Sequence, residues 1–352
     1  MVVDVALVLQ AFGITHPINV EGIVSGLINE TYLVETDSSR FILQRLNKEV
    51  FPDAAKVMEN IQIVQEVLAP VDGYQVPELL KNLNEKLFQV DQEGYAWRLM
   101  KYIPDSVVFT NTTDVGLAEE AGILIGRFHL ATSTLDSKKL HVTLPNFHDL
   151  NFRADIFLGA LQNSSGEKLV NASESIAFVE ETLPHFDELV ELNLPLRVTH
   201  NDTKLSNLLF DKTSGRGLCL IDLDTLMPGY LYHDFGDAIR ALCNSVTEND
   251  KDLDALHFDM SLFEHFTKGY LSKMGDVLTD DEWTSFPISI EFMPFIMGLR
   301  FLTDYLYGNV YYKTDYSDQN LDRCKNQFAL IERMREKREE IAGVIDSYKV
   351  VK

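Results

Sequence analysis

Residues 200–207 carry the polar side chains that phosphoryl transfer requires, in the order H-x-D-x-K-x-x-N. Asp202 can orient an acceptor hydroxyl and take its proton, and Lys204 can reach the γ-phosphate of a nucleotide. Asn207 and Asp222, the latter at the end of the next apolar run, are the side-chain types that ligate Mg²⁺ in this pattern. The sequence therefore predicts ATP- and Mg²⁺-dependent chemistry, with Asp202 and Lys204 as catalytic residues.

Two short apolar runs position these side chains. Residues 207–210 and 218–221 are predicted strands, joined by a turn rich in Gly and Ser. Because the motif precedes the first strand and Asp222 ends the second, we expect Asp202, Asn207 and Asp222 to meet at one end of a hairpin.

Two further aspartates lie near the predicted metal site. Asp224 follows Asp222 by two residues, so in an extended chain it points the same way and is either a further metal ligand or a solvated neighbour. Asp234 begins the letters D-F-G, which form a metal-binding signature in protein kinases. A helical pattern follows it here, so we expect Asp234 to brace the catalytic loop or to cap that helix.

The bulk composition predicts a folded protein of about two domains. The chain has 352 residues, 45% of them hydrophobic, and a formal net charge of −23. This acidity argues against nucleic-acid binding, and the sequence shows no signal peptide or apolar run of membrane-spanning length. Its three cysteines are far apart, without metal or disulfide spacing. We expect a cytoplasmic enzyme for a small molecule, as a monomer or weak homo-oligomer.

Hydrophobic patterns predict an α+β, two-lobed protein-kinase-like fold. Residues 1–103 form an N-lobe, a small antiparallel sheet with one helix over residues 53–68 that binds the nucleotide. Residues 104–352 form a larger, mostly helical C-lobe with the catalytic loop and the acceptor site. Helices are predicted there over residues 115–132, 172–192, 235–245, 262–274, 288–305 and 321–345.

The nucleotide side has weaker signals. Asn29 and Thr31, together with backbone amides near Gly26, are candidate phosphate contacts between the first two strands. Arg45 is the candidate cation of the third strand, with Glu59 or Glu66 as its helix partner. The backbone from Met100 to Tyr102 is the candidate for binding the adenine edge, although Trp97, Leu99 and Tyr102 also suit a plain core.

The motif residues, together with Gln44-Arg45 and the stretch from Arg300 to Tyr311, resemble the aminoglycoside phosphotransferase/choline kinase superfamily. The resemblance extends over nearly the whole chain, and it is greatest to bacterial N-acetylhexosamine 1-kinases. It implies transfer from ATP, with Mg²⁺, to the anomeric hydroxyl of GlcNAc or GalNAc. The sequence departs from this group at Leu27, and residues 136–174, which match poorly, are candidates to cover the acceptor.

By this resemblance, Arg300 and Tyr311 line the sugar pocket, together with Asp202 and with a contribution from Asn29. Taken alone, Arg300 in its apolar helix pattern favours an internal pair with Asp304. The alternative function is a related small-alcohol kinase for choline, homoserine or an aminoglycoside. A nucleotide-binding pseudokinase is a further hypothesis, because the third strand lacks a lysine, but the complete motif argues against it.

Overall fold

The computed structural model describes residues 5–23 and 28–349. The N-terminal lobe is an antiparallel sheet in the strand order β1-β2-β3-β6-β4, with β5 also paired to β6. Its elements are α1 (Val5–Ala11), β1 (Asn19–Ile23), β2 (Glu30–Glu35), β3 (Arg40–Arg45), α2 (Ala54–Leu68), β4 (Leu79–Leu80), β5 (Gln89–Val90) and β6 (Ala96–Lys101). Helix α2 begins where the sequence predicts it, because the side chain of Asp53 accepts from the Lys56 N–H at 3.2 Å.

Helix α1 was not predicted, so the expectation of a single helix in this lobe was wrong. It has seven residues and no acidic residue in its first turn, and such a short segment has little intrinsic helical stability. Tertiary packing stabilises it instead. Val8 and Leu9 pack against Leu43, Trp97 and Leu99 on one face of the sheet.

The second lobe is mostly helical and contains the catalytic hairpin. Strand β7, which immediately follows the predicted domain boundary at residue 103, pairs with β9 of this lobe. That boundary stays a prediction. The elements are β7 (Ser106–Val107), α3 (Val115–Thr132), α4 (Leu150–Asn163), α5 (Gly166–Asn171), α6 (Ser173–Thr182), α7 (Asp187–Glu191), β8 (Arg197–Thr199), β9 (Leu208–Asp211), β10 (Gly217–Leu220), β11 (Met227–Gly229), α8 (Leu231–Leu242), α9 (Met260–Met274), α10 (Asp280–Tyr307), α11 (Gln319–Arg335) and α12 (Arg338–Ser347).

Several predicted helices have different bounds. The predicted helix 172–192 is interrupted after Thr182 by a turn that contains Pro184. The predicted helix 321–345 is two helices, and the predicted helix 235–245 begins earlier, at Leu231. Helices α4 and α5 were not predicted. Only two residues of α4 are buried, so its apolar face was too narrow to give a helical pattern.

Helix α10 forms the core of this lobe. It packs most extensively against α11, α8 and α4, and a capping box between Thr279 and Glu282 fixes its start. By length and composition it could cross a membrane, but 72% of its most apolar window is buried in the protein, as expected of a core helix.

Helices α3 and α9 pack closely through glycines. A Cβ atom at Gly269 would overlap the carbonyl oxygen of Glu119, and one at Gly122 would overlap that of Phe266. This approach allows His129 of α3 and Tyr270 of α9 to hydrogen-bond to each other at 3.0 Å. The glycine contact therefore builds a polar pair in the core beneath the catalytic loop.

We predict opposite effects on stability for alanine at two helical glycines. Gly269→Ala should lower the free energy of unfolding by about 1–3 kcal/mol, because the added methyl group forces apart two packed helices. Gly343→Ala, in α12 with no atom within 4 Å of the added Cβ, should be neutral or stabilise by up to about 1 kcal/mol. Urea unfolding monitored by circular dichroism measures both. Equal effects of the two substitutions would contradict the close packing of α3 and α9.

Candidate active site

The structure brings the predicted catalytic side chains together in the loop between β8 and β9. Lys204 Nζ lies 2.9 Å from Asp202 Oδ2. Asn207 donates to the same oxygen at 2.8 Å and to the backbone carbonyl of Asp202 at 2.9 Å. Asp202 and Asn207 therefore lie together, as the sequence predicts, and the roles of all three residues stay predictions.

Asp222 joins this group through the predicted hairpin. Strands β9 and β10 pair antiparallel, and the Ile221 N–H donates to the carbonyl of Asn207 at 2.9 Å. His200 links the two segments as well, because its Nε2 contacts the Ile221 carbonyl at 2.9 Å and its Nδ1 accepts from the Asp202 N–H at 3.3 Å. These contacts fit a ring that donates from Nε2 and accepts at Nδ1, a role for His200 that the sequence did not indicate.

The carboxylates of this site have opposite pKa shifts. Burial and the charges of Asp224 and Asp202 raise the pKa of Asp222 to about 6. Burial also raises the pKa of Asp202, but the charge and hydrogen bond of Lys204 outweigh it and hold that pKa below its usual value. Asp202 is therefore ionised and paired, whereas Asp222 carries an unfavourable charge at neutral pH.

The donor set at Asp222 fits a divalent cation. Within the described residues, no protein group donates a hydrogen bond to its carboxylate, and no three His, Cys, Asp or Glu side chains are grouped as a metal cage. Mg²⁺ commonly takes only one or two protein oxygen ligands beside phosphates and water. Asp222 and Asn207 supply that number, and a bound cation would remove the repulsion that raises the pKa of Asp222.

Asp234 braces the catalytic loop, as one of the two sequence interpretations predicted. Its two carboxylate oxygens accept from the backbone N–H groups of His200 and Asn201 at 2.7 and 2.6 Å. His129 Nε2 lies 2.9 Å from Oδ2. Burial raises the pKa of Asp234, but the hydrogen bond and charge of His129 outweigh it and lower the pKa. Asp234 sits in the first turn of α8.

Asp224 does not lie on an extended chain. Asp222 has a left-handed backbone with φ +60°, and residues 223–225 form a helical turn, so the expectation of an extended chain between the two aspartates was wrong. One oxygen of Asp224 accepts from Asn29 at 2.6 Å, and the other is paired with Arg98. Both oxygens are thus bound by the N-lobe, and metal ligation by Asp224 stays a prediction.

Arg45 lies on the opposite face of the sheet from the catalytic loop. The register pairs Arg45 with Trp97 and the neighbouring Gln44 with Arg98. The Arg45 guanidinium is 2.8 Å from Glu30 and 2.9 Å from Glu93. Because two carboxylates already neutralise it, the structure does not support phosphate binding by Arg45. Neither predicted helix glutamate is its partner.

Asn29 and Thr31 remain candidates on the cleft side. Thr31 accepts from Gln44 at 3.1 Å. A cavity of about 380 Å³ at the end of the sheet is lined by both residues, by Arg45 of the opposite face and by Lys313 of the second lobe. Gly26 and Leu27, the other residues singled out here, lie outside the described residues.

Met100 and Tyr102 lie where the sheet meets the second lobe. Met100 is paired with Ile42 and Leu79 inside the sheet. The N–H of Tyr102 donates to the carbonyl of Arg40 at 3.2 Å, so this donor is not free for a base. Adenine binding by these residues stays a prediction.

Arg300 and Tyr311 are brought together, without the internal ion pair. The Arg300 guanidinium lies 6.0 Å from the ring centre of Tyr311 and 5.7 Å from that of Tyr312. Asp304 accepts instead from the backbone N–H groups of residues 310–312, at 2.8–2.9 Å. The expected pair of Arg300 with Asp304 was therefore wrong, because Asp304 binds residues 310–312, the aromatic loop.

Phe147 and His148, within the segment predicted to cover the acceptor, connect Arg300 to the catalytic loop. The Phe147 ring centre is 4.9 Å from the Arg300 guanidinium, and His148 Nε2 lies 3.3 Å from the Asn201 carbonyl. Burial and the charge of Arg300 lower the pKa of His148 to about 3, so its ring is neutral. Neither residue was predicted individually, and the poor match of that segment was the one indication of its role.

Comparison with known proteins agrees with this geometry. Residues 19–264, well over half of the chain, match the APH phosphotransferase enzyme family, and the protein belongs to that family. Kinases of the family use ATP with Mg²⁺. A homoserine kinase of Bartonella tribocorum is 22% identical over 250 residues, which cover 68% of this chain and 70% of that one.

Solved structures share the fold at low identity. A microcompartment-associated aminopropanol kinase aligns with a TM-score of 0.66 at 14% identity, covering 95% of this chain and 97% of its own. A spectinomycin phosphotransferase in complex with ADP and its antibiotic has a TM-score of 0.62 at 12% identity, with the same coverage. The predicted protein-kinase-like fold is confirmed, and the protein is a small-molecule kinase.

We predict that Asp222→Asn stabilises the metal-free protein. Because the folded pKa of about 6 exceeds the ordinary 3.8, ionised Asp222 disfavours folding, fully so above pH 6. In EDTA at pH 8 the variant should melt roughly 2–6 °C higher, since ~1 kcal/mol corresponds to about 2–4 °C in proteins of ~150–250 residues. The difference in melting temperature between the variant and the wild type should shrink toward pH 5. Differential scanning fluorimetry measures it.

The same variant should lose turnover at least as severely as Asp202→Asn, for which ~10²–10⁴-fold is expected of a general base. A lower melting temperature at pH 8, or turnover close to wild type at saturating Mg²⁺, would contradict the placement of Asp222.

Proposed function

We propose that this kinase transfers the γ-phosphoryl group of ATP to the anomeric hydroxyl of an N-acetylhexosamine, GlcNAc or GalNAc. The observation that carries the proposal is the surroundings of Arg300. Within the described residues its guanidinium has no carboxylate within 4 Å, and its hydrogen-bond partner is the Met297 sulfur at 3.6 Å. A polar donor among aromatic rings suits a neutral, polyhydroxyl acceptor with an amide group.

Asp202 is ionised and, within the part of the chain that the structure describes, has one carboxylate oxygen without a hydrogen-bond donor, as a general base requires. Its lowered pKa keeps it ionised, and its Oδ2 is bound by Lys204 and Asn207. No donor among the described residues binds Oδ1, which is left to accept the proton of the acceptor hydroxyl. Lys204, with its pKa raised chiefly by Asp202 against the opposing effect of burial, stays charged to bind the transferring phosphoryl group.

Asn207 and Asp222 would hold Mg²⁺, which when bound neutralises charge on the β- and γ-phosphates. Asn29 and Thr31 are proposed contacts for the phosphates. Asp202 lies between the proposed nucleotide site and the proposed acceptor site around Arg300. Its neighbour Asn201 contacts His148, which belongs to the segment that leads to Arg300. The nucleotide and the acceptor would therefore meet at Asp202.

Several buried polar groups that the structure describes in the proposed acceptor site, around Arg300 and Asp202, lack hydrogen-bond partners. Among the described residues, the buried Tyr312 hydroxyl, His148 Nδ1 and one oxygen of Asp237 have no hydrogen-bond partner. Buried polar atoms without partners are costly, so their presence supports a ligand rich in hydroxyl groups. Tyr311 is 59% exposed, and its ring is available to stack on the apolar face of a sugar.

One observation favours the alternative, homoserine phosphorylation. Arg153 lies near enough to Arg300 that burial and the Arg300 charge lower its pKa to about 10. Among the described residues neither guanidinium has a carboxylate oxygen within 4 Å, although the charge of Asp149 acts on Arg153, and such a pair suits the α-carboxylate of an amino acid. The homoserine kinase relative is consistent with this second candidate.

A panel of acceptors with ATP and Mg²⁺ tests the proposal. ADP release and ³¹P NMR should show a sugar 1-phosphate from GlcNAc or GalNAc, and methyl glycosides blocked at C1 should be inert. Phosphorylation of homoserine, choline, ethanolamine or an aminoglycoside, with no reaction on free sugars, would replace the proposal by the alternative. Activity on methyl glycosides would place the transfer at another hydroxyl.

We predict that Arg300→Met raises the KM of the acceptor about 10–100-fold, since a hydrogen bond to a charged group contributes ~1.5–3 kcal/mol. The KM of ATP should change less than about twofold, and Arg300→Lys should recover part of the loss. Arg338→Met, whose side chain is 74% exposed, is the control. Steady-state kinetics with each substrate varied measure this split, and an equal rise in both KM values would contradict the assignment.

A further inference from the structure

A buried ion pair joins the N-lobe to the turn that follows Asp222. Arg98 of β6 and Asp224 are 1% and 2% exposed, and their side chains form a hydrogen-bonded salt bridge. Asn29 donates to the second Asp224 oxygen at 2.6 Å. Because Asn29 and Arg98 both belong to the N-lobe, this lobe holds the turn at two points.

The same arginine is anchored within the sheet. Its Nε and Nη2 atoms donate to Gln44 Oε1 at 3.0 and 2.7 Å. Gln44 in turn donates to Thr31 at 3.1 Å. A row of hydrogen bonds therefore runs across β2, β3 and β6 and ends at Asp224, so the guanidinium has little freedom to move independently of the sheet.

Arg98 also supplies a positive charge on the face of the sheet that is turned toward the second lobe, where β3 has none. On β3 the residue that faces the second lobe is Gln44, which is neutral, whereas Arg45 faces the other side and is paired with Glu30 and Glu93. Within the described residues, Arg98 is the sheet cation that contacts the turn after Asp222. On this face of the sheet the cation therefore lies on β6, whereas it was expected on the neighbouring strand β3.

We propose that Arg98 is a positioning residue for the cation site: by holding Asp224 it orients the left-handed turn at Asp222, and Asp224 serves as its anchor and not as a metal ligand. This inference rests on the proposed metal role of Asn207 and Asp222 in phosphoryl transfer. Arg98 additionally offsets the mutual repulsion of Asp222 and Asp224. Metal binding and the contact between the lobes are thereby coupled.

The test is the Mg²⁺ dependence of ADP binding, which requires no acceptor. A fluorescent ADP analogue is titrated with Mg²⁺ from micromolar to tens of millimolar. Arg98→Met should raise the half-saturating Mg²⁺ concentration at least about tenfold, with a smaller change in binding of the analogue in EDTA. Arg98→Lys keeps the charge without the guanidinium fork, and should give an intermediate value.

A relocation variant separates charge from packing. In Arg98→Met/Gln44→Lys the cation returns to the third strand, beside its present position, and should recover at least half of the lost Mg²⁺ affinity on a logarithmic scale. The matched control is Arg335→Met, which breaks a 2.9 Å ion pair with Glu291 in the helical lobe. It should lower thermal stability and leave the Mg²⁺ dependence unchanged.

The outcomes are distinguishable. A folded Arg98→Met protein with wild-type Mg²⁺ dependence overturns the proposal, and if that variant does not fold, a wild-type response of Arg98→Lys overturns it equally. If Asp224→Asn changes the preference between Mg²⁺ and Mn²⁺ while the Arg98 variants do not, Asp224 is a ligand and the proposal is wrong. A wild-type protein that binds the analogue without any response to Mg²⁺ contradicts the underlying metal assignment instead.

Discussion

The catalytic loop depends on one buried carboxylate. Asp234 accepts two consecutive backbone N–H groups, those of His200 and Asn201, and is itself held by His129. His129 is supported by Tyr270, and the two helices that carry them meet through glycines. A backbone held at such short distances from a rigid core fixes the start of the loop, and Asp202 follows within two residues. Positioning of this kind is the main contribution that a protein makes to phosphoryl transfer.

Charge crowding is the second constraint. Asp202, Asp222 and Asp224 are gathered in one buried region of a protein whose formal net charge is −23. Lys204 neutralises the first and Arg98 the third, which leaves Asp222 with the unfavourable charge. Without a cation, the charge of Asp222 is therefore not neutralised by a protein side chain among the described residues. Carboxylates placed in this way lower the stability of the folded protein and strengthen its binding of a cation, as is common where binding groups are concentrated.

The sequence predicted what depends on neighbouring residues and failed where distant segments meet. The hairpin from Asn207 to Asp222 and helix α3 follow from apolar runs and turn residues, and their bounds agree closely with the structure. The ion pair of Arg98 with Asp224 joins residues 126 positions apart, and no local pattern signals such a contact. Arg45 was predicted to be the cation of the third strand, but it lies on the face of the sheet opposite the catalytic loop, whereas Gln44 lies on the near face. Only the pairing of Arg45 with Trp97, on the face covered by the unpredicted helix α1, decides between them.

Asp304 anchors the aromatic loop in a manner that leaves its side chains free. It accepts the N–H groups of Val310, Tyr311 and Tyr312, and every residue except proline offers such a donor. Tyr311 or Val310 can therefore be exchanged in evolution, or in the laboratory, without loss of the attachment to helix α10. The position of this loop is therefore independent of the side chains that it carries at residues 310 and 311. A library confined to residues 310 and 311 would vary the exposed side chains of this loop on a scaffold that remains intact.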